Sequence, residues 1–415
     1  MTSTMTTADG GSPELSEYPM PRAAANPFDP PPALRTFQDT GPLRKVRLWN
    51  GETAWLVTRY AEQRQLLADP RVSADIGRPG FPHQTRIAPA AEGRPRTGLS
   101  FISMDDPEHS RLRRMVTAPF MIKRVEAMRP SVQRVVDGLI DDLLAGPQPA
   151  DLVDAFALPV PSLVICRLLG VPYEDHDFFQ SNTKIVIKRD TPPEERLAAT
   201  QRLQAYLDDL MGRKLADPGD DLLSELAVER VQTGELSREQ AADIARLLLI
   251  AGHETTANMI ALGTLALLRH PDQLALLRDN DDPALVAGAV EELLRYLNIA
   301  HSGRRRAVTA DIEIADTVVR AGEGLILVNE IANRDPAVFT DPDRLDIRRN
   351  ARQHVAFGFG VHQCLGQPLA RMELQVVYGT LYRRIPALRL AVDFDRVQFK
   401  HDGFVYGVYE LPVTW

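Results

Sequence analysis

The 415-residue chain lacks several features that would assign it to a class at once. Its two cysteines are too few for a disulfide framework, so we expect a reducing compartment. The longest apolar run near the middle, residues 247–251, is far shorter than the ~18 residues of a membrane span. The first residues show no signal-peptide pattern, and we therefore predict a cytoplasmic protein with no membrane partner.

A surplus of basic charge is also missing. The chain has 48 basic and 56 acidic side chains, a net charge of −8, which argues against nucleic acid as a partner. Aromatic residues make up only 6% of the chain, but hydrophobic residues make up 44%, enough for a large core. Seven prolines within residues 13–32 predict a flexible arm over residues 1–40.

The remaining pattern predicts a mainly helical protein with a few short strands. Asn50-Gly51 predicts a type I′ turn in a β-hairpin at residues 46–58. From Asp106 to about residue 297, apolar residues recur at helical spacing. Before that stretch, the glycine- and proline-rich residues 77–103 predict an irregular loop that covers a site.

One predicted helix is much longer than the others. Ser237 and Gln240 have the spacing of a capping box, and apolar positions then recur until His270-Pro271 ends the helix. A helix of that length must run through the core.

The two cysteines stand in different contexts. Cys166 lies on an apolar helical face, where a thiol is most simply a small buried hydrophobic group. Cys364 lies among three glycines in residues 357–366, at the start of a predicted helix whose free amides favour a thiolate. A lone thiolate in such a loop suits one axial bond to a haem iron better than a zinc site. The alternative is a tight turn with an incidental thiol.

The loop around Cys364 resembles a known motif. Residues 357–371 read Phe-x-x-Gly-x-His-x-Cys-x-Gly followed by Leu-Ala-Arg, which is similar to the haem-binding signature of the cytochrome P-450 superfamily. The resemblance implies a mainly α fold with minor β sheets, in which residues 41–415 form a single triangular haem domain around a long central helix. It assigns haem b as the cofactor, Cys364 as the axial ligand of the iron, and Phe357, Gly360 and Gly366 as haem-binding residues.

A second segment matches the family's Glu-x-x-Arg pair. Glu292 and Arg295 have i,i+3 spacing on one helical face, which alone indicates an ordinary surface ion pair. The resemblance implies instead a buried network with Arg344, the arginine of a later Pro-x-Arg segment.

A third segment, residues 251–255, breaks local rules in the middle of the long helix. Gly252 costs about 1 kcal/mol relative to alanine there, and a charged residue in a core helix costs more. The segment is similar to the family's Ala-Gly-x-acid-Thr motif. That likeness places Ala251 beside the haem and makes Glu254 and Thr255 the catalytic residues that deliver protons.

Haem propionates need cationic partners, and the resemblance supplies four. They are His109, Arg113, Arg306 and His362. The consecutive arginines leave open whether Arg305 or Arg306 faces the propionate.

Electrons must come from outside, because no flavin or iron–sulfur pattern remains in the chain. We therefore expect a ferredoxin and a ferredoxin reductase to pass electrons from NAD(P)H to a monomeric protein. The predicted docking face for the ferredoxin consists of Arg111, Arg114, Lys123, Arg124 and Arg352. The alternative is a solvated basic face without a partner.

The implied function is a monooxygenase that inserts one oxygen atom of O2 into an organic substrate, by hydroxylation or epoxidation. Details of the sequence are most like soluble actinobacterial members that tailor macrolides and other polyketides. The predicted substrate pocket comprises Leu248, Ala251, Thr255, Ile299, Ala300, Phe404 and Val405. The alternatives are a peroxide-driven peroxygenase, a non-catalytic haem sensor and a helical binding protein without haem.

Overall fold

The computed structural model describes residues 15–85, 100–301 and 303–415, and most of these residues are helical. In this part of the chain no helix has both the length and the apolarity needed to span a membrane. The α-helices are α1 Pro32–Thr40, α2 Tyr60–Ala68, α3 Glu108–Met115, α4 Ile122–Ala145, α5 Pro159–Leu169, α6 His176–Ile187, α7 Pro193–Ala216, α8 Leu222–Leu226, α9 Arg238–Arg269, α10 Pro271–Arg278, α11 Pro283–Tyr296, α12 Asn329–Ala332 and α13 Gln367–Arg384.

The strands form three small sheets. Their bounds are β1 Leu43–Arg47, β2 Thr53–Val57, β3 Val72–Ser73, β4 Ala150–Asp151, β5 Arg304–Val308, β6 Ile312–Ile314, β7 Thr317–Val319, β8 Gly324–Leu327, β9 Arg389–Leu390 and β10 Pro412–Thr414. The strand orders are β1-β2-β8-β5-β3, β4-β10-β9 and β6-β7. Within the first sheet β2 and β8 are parallel, and the other neighbouring strands are antiparallel.

The predicted flexible arm is wrong for residues 15–40, while residues 1–14 lie outside the described part. Tyr18 and Leu34 are buried, and the Gln38 amide donates hydrogen bonds to two buried backbone carbonyls of other segments. The prolines are compatible with a helix here because Pro32 occupies the first position of α1. At that position proline removes no helical hydrogen bond, and its fixed φ favours the helix.

The predicted hairpin between β1 and β2 is confirmed, but the type of turn is wrong. Leu48 and Glu52 close the turn, with Leu48 N–H donating to Glu52 O over 2.8 Å. Of the turn residues only Gly51 has a positive φ, of 83°. A type I′ turn needs positive φ at both central residues, whereas this three-residue loop needs it only at its last position.

The predicted long helix is confirmed as α9. Ser237 and Gln240 form the capping box, each side chain accepting the other's backbone N–H. The helix packs against α5, α7 and α13, and its residues join the largest hydrophobic cluster of the protein. The predicted cover at residues 77–103 is described only in part, because residues 86–99 lie outside the described ranges.

Candidate functional site

Glycines shape the loop that carries Cys364. Gly358 and Gly360 have φ values of 76° and 73°, which favour glycine, and Cys364 N–H donates to Phe357 O over 2.9 Å. A Cβ on Gly360 would lie 2.2 Å from the carbonyl oxygen of Leu67 at the end of α2. The loop therefore needs glycine both for its turns and for its close contact with α2.

The Cys364 thiol faces an internal space. Its side chain is accessible to solvent, yet it lies deep among protein atoms, so its accessible surface is that of an internal wall. Burial raises the pKa of the thiol, and the Arg304 guanidinium and the Gly366 N–H act in the opposite direction. Cys166, by contrast, is buried in the core as predicted, and burial raises its thiol pKa to about 12.

The three consecutive arginines lie in strand β5 and point to two different faces of it. Arg305 donates to Pro82 O over 2.6 Å, and its guanidinium lies 5.9 Å from the ring centre of Tyr18. Arg304 and Arg306 lie on the opposite face because side chains alternate along a strand. The structure therefore places Arg306, and not Arg305, on the Cys364 side, together with Arg304, which sequence reasoning did not select.

The other predicted propionate partners converge on the same place. The imidazole centroids of His109 and His362 lie 4.0 Å apart, and Arg113 donates to Gln363 O over 2.7 Å. Burial and the charges of Arg306 and the neighbouring groups lower the pKa of His362 to about 3. Three guanidinium groups and two imidazoles thus surround the position of the thiol.

Two polar atoms of this cluster are buried without a hydrogen-bond partner among the described residues. They are Nε2 of His109 and Nε of Arg304. The nearby carboxylate of Asp105 already accepts hydrogen bonds from Ser73 and Ala74. Nδ1 of His109 faces the Asp106 carboxylate at 3.3 Å, so Nε2 of the neutral ring is an acceptor. The unsatisfied Nε–H of Arg304, beside a surplus of positive charge, fits an added group that carries carboxylates. A haem, with its two propionates and an iron for the thiolate, meets that requirement.

The Glu292 and Arg295 side chains form the predicted buried pair, and both are fully buried. Their two hydrogen bonds measure 2.7 Å and 2.8 Å. The prediction that the Arg344 side chain completes the network is wrong: it is exposed and pairs with two aspartates, and only its carbonyl oxygen accepts from Arg295. Arg349 takes its place, with Nε 3.2 Å from Oε1 of Glu292.

Gly252 has a structural reason that the sequence did not show. A Cβ at this position would lie 2.6 Å from Cγ1 of Ile165, so the glycine lets α9 and α5 pack closely. Ala251 is exposed and Thr255 is half-buried, although residues 256–267, which follow them in the same helix, are all buried. These two residues therefore line an internal space. The hydroxyl of Thr255 donates to Ala251 O over 2.7 Å.

Glu254 projects from a different side of α9. It is buried, and Asn258 one turn later donates to its Oε2 over 3.0 Å. The carboxylate lines a cavity of ≈ 570 Å³ between α9, the end of α6 and the chain around residues 400–410. The predicted acid and alcohol are therefore adjacent in sequence but face different spaces.

The remaining predicted pocket residues do not lie together: Val405 lines the cavity beside Glu254, whereas others belong to the core. Val405 lines the cavity beside Glu254 and forms a β-bridge with Ala300. Phe404 lies under the guanidinium of Arg196, at 5.6 Å. Leu248 is buried in the main core and Ile299 packs against that core, so neither lines the described cavity.

The predicted docking face is basic and largely exposed. Arg111 pairs with Glu108 at 2.7 Å, and Arg124 lies 3.6 Å from Glu225. No ion pair within the described ranges involves the exposed Arg114, Lys123 and Arg352. Sequence reasoning missed the apolar side chains nearby in the chain: Met121 and Ile122 are 59% and 71% exposed.

Comparisons with known proteins identify the family of this chain. The family model described as Cytochrome P450 matches residues 184–385. Cytochrome P450 GfsF of Streptomyces halstedii is 54% identical to this chain, over 99% of each protein. The 20-oxo-5-O-mycaminosyltylactone 23-monooxygenase of Streptomyces fradiae is 46% identical, over 95% of this chain and 92% of the relative.

A solved structure has the same fold along nearly the whole chain. The mycinamicin VIII C21 methyl hydroxylase MycCI from Micromonospora griseorubida, bound to mycinamicin VIII, matches with a TM-score of 0.90 and 43% identity. The match covers 97% of this chain and 100% of that one. The chain therefore belongs to the cytochrome P450 family, with the mainly helical fold predicted from its sequence, and it is a P450 monooxygenase.

Proposed function

We propose that the protein is a haem-thiolate monooxygenase that inserts one oxygen atom of O2 into a bulky secondary metabolite such as a macrolide or another polyketide. The observation that carries the proposal is the Cys364 thiol on the wall of an internal space, beside the guanidinium groups of Arg113, Arg304 and Arg306, whose hydrogen bonds go to backbone carbonyls rather than to carboxylates. A haem b, once bound, supplies the iron that activates O2.

The chain's own residues hold that group. Cys364 would supply the thiolate ligand of the iron, and its loop glycines would leave room for a large flat group beside the backbone. The propionates would be held by the guanidinium groups of Arg113, Arg304 and Arg306 and by the imidazoles of His109 and His362.

Thr255 and Glu254 share the delivery of protons. The Thr255 hydroxyl donates to Ala251 O, so its oxygen lone pairs remain available to accept a hydrogen bond from a molecule in the internal space. Glu254, on the adjacent side of α9, exchanges protons with the cavity that it lines. A peroxygenase or a haem sensor would not need such a pair.

Electrons reach this site from NAD(P)H through a ferredoxin reductase and a ferredoxin. Arg114 and Lys123 attract the acidic ferredoxin, and the exposed side chains of Met121 and Ile122 supply apolar contact area beside them. Arg113 links this region directly to the backbone of the Cys364 loop through Gln363.

The substrate class is proposed from the relatives. One relative is named for a macrolide precursor and one neighbour was solved with mycinamicin VIII bound. Hydroxylation and epoxidation are both compatible with the residues that line the two spaces.

The test begins with the purified protein reduced in the presence of carbon monoxide. A strongly red-shifted Soret band is expected in the wild type and not in Cys364→Ala, and its absence in the wild type overturns the proposal. A panel of macrolides, other polyketides and steroids is then screened by the Soret shift that accompanies displacement of iron-bound water. A hit that gives a product with one added oxygen atom under O2, ferredoxin, reductase and NADPH supports the function.

A further inference from the structure

The chain between Phe399 and Val408 doubles back against α9. Phe399 and Val408 form a β-bridge, and Lys400 N–H donates to Gly407 O over 2.8 Å. A Cβ on Gly407 would lie 1.7 Å from Oδ1 of Asn258, so the glycine makes room for the Asn258 side chain. This segment, called the 399–408 hairpin below, therefore packs on α9 at the side that carries Glu254.

Lys400 projects from this hairpin toward Glu254. Its Nζ lies 3.9 Å from Oε2 of Glu254, the atom that also accepts from Asn258. The Lys400 side chain is 20% exposed and the Glu254 side chain 4% exposed. Burial lowers the pKa of Lys400, and the Glu254 charge acts in the opposite direction. Lys400, in the 399–408 hairpin, and Asn258, in α9, thus both contact the buried carboxylate of Glu254.

Both side chains line the cavity of ≈ 570 Å³ described above. The space is large enough for several water molecules at ~30 Å³ each, and charged side chains line it alongside apolar ones such as Leu158, Ile187 and Val405. The other titratable groups that face it are Asp151, Asp154, Lys184, Lys188, Asp402, Tyr409 and Glu410. Charges of both signs favour a hydrated space over an apolar one.

We propose that Lys400 is a positioning residue that holds the Glu254 carboxylate at the wall of this cavity, and that the cavity is the source of the protons that Glu254 transfers. Each proton comes from a cavity water, which solvent reprotonates, and passes through Glu254 toward the Thr255 side of α9. Lys400 stays an ammonium group throughout, and no electron moves in the step. The inference rests on the proposed monooxygenase function.

The first experiment removes the Lys400 charge from the whole, haem-loaded protein. Lys400→Met is expected to raise the ratio of peroxide to product about fivefold and to change the pH profile of coupling. Lys400→Arg should restore most of the coupling. Lys188→Met is the matched control, because Lys188 lines the same cavity but pairs with Asp402 at 3.5 Å.

A second readout does not depend on turnover. Lysine side chains carrying ¹³C-methyl groups are titrated by NMR, and the Lys400 signal is identified by its loss in Lys400→Arg. We expect Lys400 to titrate below an ordinary lysine and Glu254→Gln to lower its pKa further, because the carboxylate stabilises the ammonium. An unchanged Lys400 pKa in Glu254→Gln would show that the contact is absent.

The proposed function and the inference about Lys400 are contradicted by different results. A wild type without the red-shifted Soret band contradicts the proposed function, whatever the lysine titration shows. A wild type that oxygenates its substrate, with Lys400→Met equal to it in coupling and pH profile, overturns the inference about Lys400 alone. Substrate affinity and the carbon monoxide spectrum are measured for each variant, so that misfolding is not mistaken for lost proton supply.

Discussion

Arg349 donates from its Nε to Oε1 of Glu292 over 3.2 Å, although 57 positions separate the two residues. The same guanidinium donates to the carbonyl oxygens of Thr340 and Asp341, and Glu292 also binds Arg295. Arg349 therefore ties the end of α11 to the segment that leads into the Cys364 loop.

Arg349→Leu should destabilise the fold. The change removes one of the three donors to Oε1 of Glu292, a positive charge beside a buried carboxylate, and the hydrogen bonds to Thr340 O and Asp341 O, so we expect the free energy of unfolding to fall by about 1–3 kcal/mol. Denaturant unfolding measures it. Arg344→Leu is the control, because the Arg344 side chain is exposed and its loss should change the stability by less than about 0.5 kcal/mol. Equal losses in both variants would contradict the network described here.

The alternation along β5 predicts which arginine retains the haem. Arg304→Leu should speed transfer of haem to apomyoglobin by about tenfold, because it removes a charge-assisted partner of a propionate. Arg305→Leu should leave the transfer rate near that of the wild type, since Arg305 faces Pro82 and Tyr18 on the other side. The reverse order of effects would refute the assignment.

Reversal of charge on the proposed docking face should slow electron transfer. Arg114→Glu with Lys123→Glu is expected to lower the association rate with an acidic ferredoxin about tenfold at low salt, and the difference should shrink as salt rises. Stopped-flow reduction measures this rate. Arg389→Glu, in β9, is the control: it reverses one exposed charge outside the proposed face, half of the charge change in the double variant, and should leave the rate near that of the wild type. A rate unaffected by the double reversal would leave the basic face without a partner.

His301 makes the stability depend on pH. Burial lowers its pKa to about 3, and the charges of Arg22 and Arg189 act in the same direction. The unfolded chain binds the proton near pH 6.5 and the folded protein does not, so stability is lost as the pH falls through the window from about 6.5 to 3. The loss from this residue approaches about 1.4 kcal/mol per pH unit, the limit for one proton.

His301→Phe should reduce that slope, because phenylalanine keeps a ring beside Tyr406 and takes up no proton. Urea unfolding at pH 7 and pH 5 measures the difference between variant and wild type. The same slope in both proteins would mean that His301 is protonated in the folded state.

Gly407→Ala should disturb Asn258 and, through it, Glu254. A Cβ 1.7 Å from Oδ1 of Asn258 forces one of them to move, with an expected cost of about 1–3 kcal/mol and a lower yield of product per electron. Gly138→Ala is the control: nothing lies within 4 Å of its Cβ, and alanine within α4 should stabilise by about 0.5–1 kcal/mol. Thermal unfolding distinguishes the two, and a Gly407→Ala variant as stable as the wild type would show that Asn258 can move freely.

Local signals in the sequence predicted much of this protein. The capping box of α9, the hairpin at Gly51 and the buried pair of Glu292 and Arg295 each depend on residues a few positions apart. The motif around Cys364 is equally local, because its glycines and the helix that follows shape one loop. Such features are decided by backbone geometry and capping, which short segments carry with them.

What the sequence misjudged depends on contacts between distant segments. The N-terminal prolines predict a flexible arm, but residues 15–40 pack against the core, because burial outweighs local composition. The wrong assignment of Arg344, in place of Arg349, to the Glu292 network has the same origin. The sequence does not distinguish these two arginines, five positions apart, as partners of Glu292 until the chain folds back on α11.

The residue types of the site are thus visible in the sequence: one thiol in a glycine-rich loop, one acid–alcohol pair on a long helix and a set of basic residues. Their geometry is set by the packing of distant segments. The pleat of β5 selects Arg304 and Arg306 over Arg305, and the 399–408 hairpin brings Lys400 to Glu254. These choices require the register and packing of elements far apart in the chain, which no local pattern encodes.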